Sequence, residues 1–479
     1  MNRLSLGQKL AARRTEFGLL LAATVLVGLA LVSLELTQQA TLDSGVFVVI
    51  GGFIAVFTIA HLALCLTATY ADQVLLPVAA ALNGLGLVVL YRLNSALVVK
   101  QVVWSLVSVV LMIAVLVIVR DHRALSRFSY LLGLLGLVFL ALPLVWPASG
   151  DEVTADAKIW ISIGPFSVQP GEFSKILLLM FFAQLLVNKR ALFNVAGKRF
   201  LGMDFPRLRD LGPLLLVWAI ALLIMAAQND FGPALLLFGT VLGMLFIASG
   251  RASWLLIGFV LAAAGGSVVY RMSTKIQTRF SNFIDPLANF YDSGNQLSQS
   301  LFGLSWGGIT GTGLGLGSPD LIPVVHSDFI LSAVGEELGL VGLSTILVLY
   351  AIFVQRGMKT ALVTSDSYGK LLAAGLSLTL AIQVFVVVGG ISAMLPMTGL
   401  TTPFMSAGGS SLMANYILLG ILLRISNAAR HPGSAPGDAA ELTAGRSAVE
   451  DPANPHTALH RVVSPDAYRL QPGAAQGGL

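Results

Sequence analysis

Charge is what this chain has least of. Asp, Glu, Lys and Arg make up 11% of its 479 residues, against about 25% in a soluble globular protein. So few polar side chains cannot cover a surface facing water, which excludes a soluble protein of this length. Cysteine is nearly absent too. Cys65 is the single one, so no disulfide can form within the chain, and its place inside an apolar run marks a buried, inert thiol. Period-two alternation is missing from the apolar runs, which excludes a membrane β-barrel. No strong internal repeat is visible, and that weighs against an inverted-repeat transporter.

What the sequence has instead is apolar length, with 56% hydrophobic residues. Runs long enough to cross a bilayer as helix, roughly 17–25 residues, recur along most of the chain. About twelve are expected, near 17–34, 46–67, 73–91, 97–119, 128–146, 172–188, 211–228, 231–249, 253–271, 328–354, 369–393 and 403–427. The fold class that follows is all-α, a polytopic integral membrane protein. The first run follows a basic segment, but it is too long and too well embedded among later spans for a cleaved signal peptide. An uncleaved anchor is expected.

Lys and Arg set the orientation. With the amino terminus inside, the inner segments collect Arg3, Lys9, Arg13 and Arg14, then Arg120, Arg123 and Arg127, then six cations between Lys189 and Arg209. Arg251, Arg356, Lys359 and Lys370 follow on the same side. The outer side has Arg92, Lys100, Lys158, Arg271, Lys275 and Arg279, with Lys175 near the outer end of a helix. Both termini are therefore expected in the cytoplasm. The net charge of +5 follows from the inner bias and calls for no nucleic-acid partner. Three regions stand apart from the helical body. Segment 147–171 is polar and then amphipathic, and the outer connection 272–327 is of a length that is usually functional. The tail from about 428 is rich in Ala, Pro, Gly, Asp and Ser and should be disordered.

An ionisable group inside a span costs about 2.5–3.5 kcal/mol on insertion scales, so each one needs a partner or a task. In VQPGEFSKILLLMFF, Glu172 and Lys175 stand three apart on one helical face. They form either a structural ion pair or a pair whose lysine also faces an anionic substrate. Asp230 in AAQNDFGPALLLF stands where its carboxylate can cap a helix start. GGITGTGLGLGS at 307–318 superficially resembles a dinucleotide fingerprint but follows no strand, so a tight loop with close backbone approach is expected. SAGGSS at 406–411 lies within the last expected span and permits close approach of helices or substrate. In PVVHSDFILSAVGEELG, residues 323–339, helical rotation puts Asp328, Ser332, Gly335, Glu336 and Gly339 on one side, while Glu337 turns away. His326 reads as a solvated loop residue. Glu336 reads as a buried group bonding helix to helix, and Asp328 as either a helix cap or a functional carboxylate.

These motifs are similar in kind and order to those of one family. AKIWISIGPFSVQPGEFSK, QNDFGPALL, RFSNFIDP with GNQLSQSLFGLSWGGITGTGLG, LIPVVHSDFILSAVGEELGLVG and LPMTGLTTPFMSAGGSSLMAN follow one another. From about residue 73 to 427 the chain thus resembles the SEDS proteins (shape, elongation, division and sporulation), which include the RodA and FtsW types. The family's QPSEF is QPGEF here, its TDF is SDF, and its SYGGSS is SAGGSS with Ala407. No charged group is lost.

The resemblance implies three parts: residues 1–72 with two additional spans, a ten-span glycosyltransferase core at 73–427, and a tail at 428–479. The extended amino terminus is similar to actinobacterial members of the RodA type, which favours elongation and cell shape over the septal FtsW role. The implied activity is peptidoglycan polymerisation from lipid II on the outer face of the cytoplasmic membrane. The implied partners are a class B penicillin-binding protein and other membrane proteins of the elongation complex. The family's essential aspartate corresponds to Asp328, and its Glu–Lys pair corresponds to Glu172 and Lys175. Lys158, Arg279, Gln296, Gln299, Ser327 and Ser410 are expected at the substrate cavity, with Asp230, Asp285 and Glu336 structural.

Asp328 can serve as general base for the acceptor hydroxyl, or hold a divalent cation (Mg or Mn) at the leaving diphosphate. Lys175, Arg279, Lys158, Lys100 and Arg92 are the cations available to that diphosphate. A lipid II flippase and a non-catalytic scaffold are the competing readings.

Overall fold

The computed structural model describes residues 5–39, 43–147, 158–163, 166–193, 198–200, 203–205 and 212–431. The expected disordered tail and much of segment 147–171 lie outside them. The amino-terminal helices are α1 (Leu6–Ala12), α2 (Arg14–Gln39) and α3 (Ser44–Thr67). There follow α4 (Leu75–Leu93), α5 (Ser95–Ile118), α6 (Arg123–Arg127) and α7 (Ser129–Val145). A hairpin of β1 (Ile161–Ile163) and β2 (Phe166–Val168) pairs Ile161 with Val168. It leads into α8 (Pro170–Phe193), and a second antiparallel hairpin follows, β3 (Lys198–Phe200) with β4 (Met203–Phe205). Next come α9 (Gly212–Ala227), α10 (Phe231–Ser249), α11 (Ser253–Met272), α12 (Thr274–Ile284) and α13 (Asn295–Gly307). The chain closes its helical part with α14 (Ile330–Val363), α15 (Ser367–Ile391) and α16 (Gly409–Ala429).

Among the described residues, ten of these helices are long and apolar enough to cross a membrane: α2, α3, α4, α5, α8, α10, α11, α14, α15 and α16. The other two expected spans form the shorter apolar α7 and α9, of 17 and 16 residues. The chain is a polytopic helical membrane protein. α4, α8, α15 and α16 lie inside the bundle with most side chains buried, while α11 turns most of its surface outward. The last span begins later than its hydropathy suggests. SAGGSS enters α16 only at Gly409, so Ser406–Gly408 belong to the preceding loop.

The helix that carries Glu336 and Glu337 is not continuous. At Gly339 the backbone turns to φ 66°, ψ −167°, a left-handed conformation that glycine adopts without penalty. A break in a buried helix frees backbone groups that need partners, and the glycine segment after α13 supplies them. Leu340 N–H donates to Gly308 O (3.0 Å) and Val341 N–H to Ile309 O (3.1 Å), while Thr312 and Gly313 N–H donate to Glu336 O and Glu337 O (both 3.0 Å). A Cβ at Gly339 would lie 2.3 Å from Gly311 N, so the two backbones are in direct contact. Irregular backbone at membrane depth is tolerated where protein surrounds it.

Both glutamates serve this seam. Glu336 Oε1 accepts from Ser318 N–H (2.6 Å), so its partner is the loop and not, as expected, a neighbouring helix. Glu337, on a different side of the helix, also meets the loop. It is buried, accepts from Gly315 N–H (3.0 Å) and pairs with Arg92 Nε at 2.9 Å, because the loop folds across that side of the helix. Arg92 also donates to Gly317 O (2.8 Å). It is thereby committed to the seam, which corrects its place among the diphosphate cations. The outer layer reaches the same loop from α2: a Cβ at Gly315 would meet Leu34 Cδ1 at 2.9 Å.

Near the start of α2, buried Arg13 pairs with Glu16 and donates to the carbonyls of Ala68 (2.9 Å), Thr69 and Ala71 (both 3.2 Å). His61 Nδ1 lies 2.6 Å from Glu16 Oε1, and buried Cys65 Sγ lies 3.7 Å from His61 Nε2.

Removing one member of a buried ion pair strands the other, at a cost of about 3–5 kcal/mol. Arg92→Ala is expected to lower the unfolding temperature in detergent clearly, and Arg92→Ala with Glu337→Gln to recover part of the loss. An unchanged unfolding temperature in the single variant would show that the pair does not hold the seam.

Candidate active site

Four connections meet at one end of the bundle: the α9–α10 turn, α12, the segment before α14, and the loop between α15 and α16. Their backbones are unusual. The described non-glycine residues with positive φ are Asn229 (59°), Val324 (52°), Ala393 (52°) and Phe404 (65°), all in these connections. Such conformations persist only where the surroundings over-determine them, and they gather at functional sites. The surroundings here are hydrogen bonds between loops. Ser406 Oγ donates to Ser327 O, and Ala407 N–H donates to His326 O (2.9 Å), so the SAGGSS loop is stapled to the SDF segment. Ser406 Oγ also accepts from Thr402 N–H (2.8 Å).

Asp328 is held between these staples. It does not cap a helix: α14 begins at Ile330, and its capping position is Phe329, with no side-chain cap bond. Its carboxyl lines a small cleft with Phe329, Val387, Ile391, Thr398 and Gly399. Burial raises its proton affinity above the ordinary carboxylate range, against smaller opposing effects of its own backbone N–H and of Arg279. Neighbouring His326 is half-buried, and the loss of water around it lowers its proton affinity.

Arg279 reaches the same place from α12. It donates through Nη1 to Thr398 O (3.0 Å). Gly399, at φ 74°, stands between the two charged groups. An atom placed where its Cβ would be lies 3.2 Å from Arg279 Nη2 and 3.9 Å from Asp328 Oδ2. The missing side chain leaves an atom-sized opening between a carboxylate and a guanidinium.

Glu172 and Lys175 are both buried and 2.6 Å apart, as their spacing on α8 predicts. Lys175 Nζ also donates to Gln383 Oε1 (3.3 Å), Gln383 Nε2 donates to Thr401 O (2.8 Å), and Thr401 Oγ1 contacts Ser411 Oγ (2.8 Å). The pair thus braces the loop that carries Gly399. Ser410 Oγ accepts from Gln169 N–H (2.9 Å), joining α16 to the start of α8.

Asp230 occupies the expected position before α10 but forms no side-chain cap bond there. The capping expectation is corrected: the backbone of Asp230 lies at φ −116°, ψ 86°, and its carboxyl faces the charges of Glu172, Lys275 and Arg279. Burial first, then the charge of Glu172, raises its pKa from 3.8 to about 6, while Lys275 and Arg279 pull it down.

Gln296 Nε2 donates to Pro323 O (2.7 Å) and lines a larger cavity of about 390 Å³. Lys275, Arg279, Asn229 and Asn282 line it too, and Met397 lines both hollows. Gln299 is half-buried on α13, Ser327 takes part through its carbonyl, and Asp285 Oδ1 accepts from Ala288 N–H (3.0 Å) in a turn after α12. Lys158 and Lys100 are exposed. Lys275, Gln383 and Gly399 were not singled out from sequence. A glutamine deep in an apolar span and cations at i and i+4 were the available signals; nothing in the sequence marks Gly399 among 49 glycines.

A divalent ion would find limited protein support here. Among the described residues no group of three His, Cys, Asp or Glu side chains is placed to hold one, and Asp328 is the one carboxylate lining either hollow. That fits Mg-type binding, in which one or two carboxylates are completed by substrate phosphates and water.

Three comparisons bear on this arrangement. Residues 62–431 match the family model of the FtsW, RodA and SpoVE proteins, described as "Cell cycle protein". Peptidoglycan glycosyltransferase RodA of Mycobacterium tuberculosis is 50% identical over 436 residues, covering 88% of this chain and 92% of that protein. Probable peptidoglycan glycosyltransferase FtsW of Geobacter sp. is 31% identical over 374 residues, covering 75% and 97%. Among solved structures, one described as "Structural coordination of polymerization and crosslinking by a peptidoglycan synthase complex" matches with a TM-score of 0.62 and 26% identity, covering 75% of this chain and 99% of that one.

Asparagine tolerates a left-handed backbone but fills the opening at 399. Gly399→Asn is expected to cut turnover by about 10²-fold, with unfolding within a few degrees of wild type; near-normal turnover would refute the role given to the opening. Asp230 has a folded-state value (about 6) above its free one (3.8), so its contribution to stability is full below about pH 4 and lost as pH rises through about 6. Wild type should lose stability over that window relative to Asp230→Asn, and parallel curves from thermal scans in detergent would contradict it.

Proposed function

The chain belongs to the FtsW, RodA and SpoVE family of cell cycle proteins, and we propose that it is a peptidoglycan glycosyltransferase of the elongation type whose chemistry centres on Asp328. The 50% identity to a mycobacterial RodA, against 31% to an FtsW, supports elongation and cell shape over division. The substrate is lipid II, as both donor and acceptor. The protein works in the cytoplasmic membrane with both termini inside and the Asp328 end outside, in line with the distribution of Lys and Arg. Residues 1–72 form an added module on a core at 73–427, followed by a tail.

One observation carries the chemistry: a half-buried carboxylate and a guanidinium flank a single open point at Gly399. An alcohol is a weak nucleophile, and a base at its proton accelerates attack by about 10²–10⁴-fold. Asp328 takes the proton from the acceptor's 4-hydroxyl as that oxygen bonds to the anomeric carbon of the donor. The bond from that carbon to the diphosphate breaks, the electron pair leaves with the diphosphate, and the configuration inverts. One carboxylate suffices for a single displacement, where retaining hydrolysis needs two. The raised proton affinity of Asp328 makes its ionised form a stronger base. Arg279, across Gly399, meets the negative charge that develops on the leaving side. A Mg or Mn ion at Asp328, if bound, would add Lewis-acid charge at the diphosphate oxygens.

A class B penicillin-binding protein is the proposed partner, supported by the similarity to a structure of a synthase complex that joins polymerisation with crosslinking. A flippase would place its site near the bilayer midplane, whereas these groups gather in the connections at one end of the bundle.

The test is glycan-strand formation from lipid II by purified protein in detergent, with and without its partner, read on a gel. Asp328→Asn should lose about 10²-fold or more with normal expression and unfolding. Full activity in that variant would sink the assignment.

A further inference from the structure

We propose that Asn83 and Gln101 are positioning residues for Asp328, acting on it through the loop between α15 and α16. This deepens the glycosyltransferase reading and rests on it. Neither side chain lines the cleft of Asp328; both work from the helices behind it.

The loop itself poses the problem they answer. Residues 402–406 form no helix or strand, yet all are buried. Carbonyls in such a segment need donors from elsewhere. Four helices supply them. Gln383 of α15 donates to Thr401 O (2.8 Å), Tyr350 of α14 to Pro403 O, Asn83 of α4 to Phe404 O (3.2 Å) and Gln101 of α5 to Ser406 O (3.1 Å). The Thr402 carbonyl accepts within the loop, from Met405 N–H (3.2 Å) and Ser406 N–H (3.1 Å).

Asn83 and Gln101 hold the two most consequential carbonyls. Phe404 is held in the left-handed region at φ 65°, a conformation that persists only where its surroundings impose it. Asn83 fixes its carbonyl, and Ser105 Oγ, donating to Asn83 Oδ1 (3.2 Å), fixes the amide. The loop backbone lies directly on α4 here, since a Cβ at Gly86 would stand 2.5 Å from Met405 O. On α5, Gln101 and Trp104 are three apart and share a face. The indole of Trp104 meets the start of α16 at Gly409, where a Cβ would lie 2.6 Å from its Cδ2. Asn83 is 1% exposed and Gln101 4%. Amides so deep in apolar helices are costly unless they are answered, and what answers these is the loop.

Ser406 passes the constraint on. Its carbonyl is held by Gln101, and its hydroxyl donates to the carbonyl of Ser327, the residue before Asp328. Ala407 N–H adds a bond to His326 O (2.9 Å). Earlier in the same connection stands Gly399, with its opening 3.9 Å from Asp328 Oδ2 and 3.2 Å from Arg279 Nη2. A shift of Ser406 therefore moves the carboxylate relative to the point where the acceptor must sit. A misplacement of about 1 Å can cost about 10²-fold in rate. If the two amides served only to join helices, their loss would lower stability and leave the geometry at Asp328 intact.

The experiment measures glycan-strand formation from lipid II by the intact protein in detergent, separating kcat from KM. Gln101→Met keeps the length of the side chain and removes the donor, while Gln101→His returns a ring N–H near the place of Nε2. Gln101→Met is expected to lower kcat by about tenfold or more, with KM changed less than about twofold and unfolding within a few degrees of wild type. Gln101→His should recover most of kcat. The kcat of Gln101→Met with Ser406→Ala should match that of Ser406→Ala alone, because both changes break one connection. Asn83→Leu, of similar volume and without a donor, should show the same split between kcat and KM and decides the matter if Gln101→Met does not fold. Wild-type kcat in these variants overturns the proposal. So does a kcat that falls only in step with unfolding temperature, or fully additive effects in the double variant. In each of those cases an inactive Asp328→Asn leaves the glycosyltransferase reading standing. Full turnover by Asp328→Asn instead overturns the reading on which the proposal rests.

Discussion

A charge or a free backbone group inside an apolar bundle must be answered by protein, because lipid offers it nothing. Most of this molecule's polar interior follows from that constraint. Glu172 is answered by Lys175, Glu337 by Arg92, Glu336 by a loop N–H, and Arg13 by Glu16 and three carbonyls. Several of these answers tie together segments far apart in sequence. Arg92 is 245 residues from Glu337, and Lys175 is 208 from Gln383. The ion pairs that make buried charge tolerable are also the fasteners of the loops.

Those fasteners converge on the end of the bundle that holds Asp328 and Gly399. The relay from Glu172 through Lys175 and Gln383 to Thr401 steadies the loop of Gly399, and the staples at Ser406 and Ala407 hold the same loop against the segment of Asp328. A carboxylate and a guanidinium can then face one opening without collapsing into a direct salt bridge, which would quench both. Burial raises the proton affinity of Asp328 and Asp230 at this end of the bundle.

The seam at Gly339 shows the same logic in the backbone. A continuous helix from 330 to 363 would have left no place for the glycine segment, and a loop without the break would have buried unpaired amides. Each feature supplies hydrogen-bond partners to the other. The amino-terminal part joins in, since α2 packs on Gly315 of that loop.

The helical membrane class was legible from apolar run length, because a span is a local property of about twenty residues. The pairing of Glu172 with Lys175 was legible for the same reason: three residues on a helix set the distance whatever surrounds them. Motif order was enough to suggest the family and to single out Asp328. The failures have the opposite character. Glu337 could be given no task from its angle on a helix, because its partners come from a distant loop and from Arg92; Asp230 was read as a cap from its position, but it makes no side-chain cap bond. Arg92 counted as an available cation until the fold gave it a carboxylate. Gly399 had no signal at all, because its role is to be absent from a space that three separate segments define. Sequence by itself determined the elements and their chemistry, since these depend on neighbours along the chain. Which charges are spent on the scaffold and which remain for the reaction was decided only by tertiary contacts, where long-range partners either quench a group or leave it open.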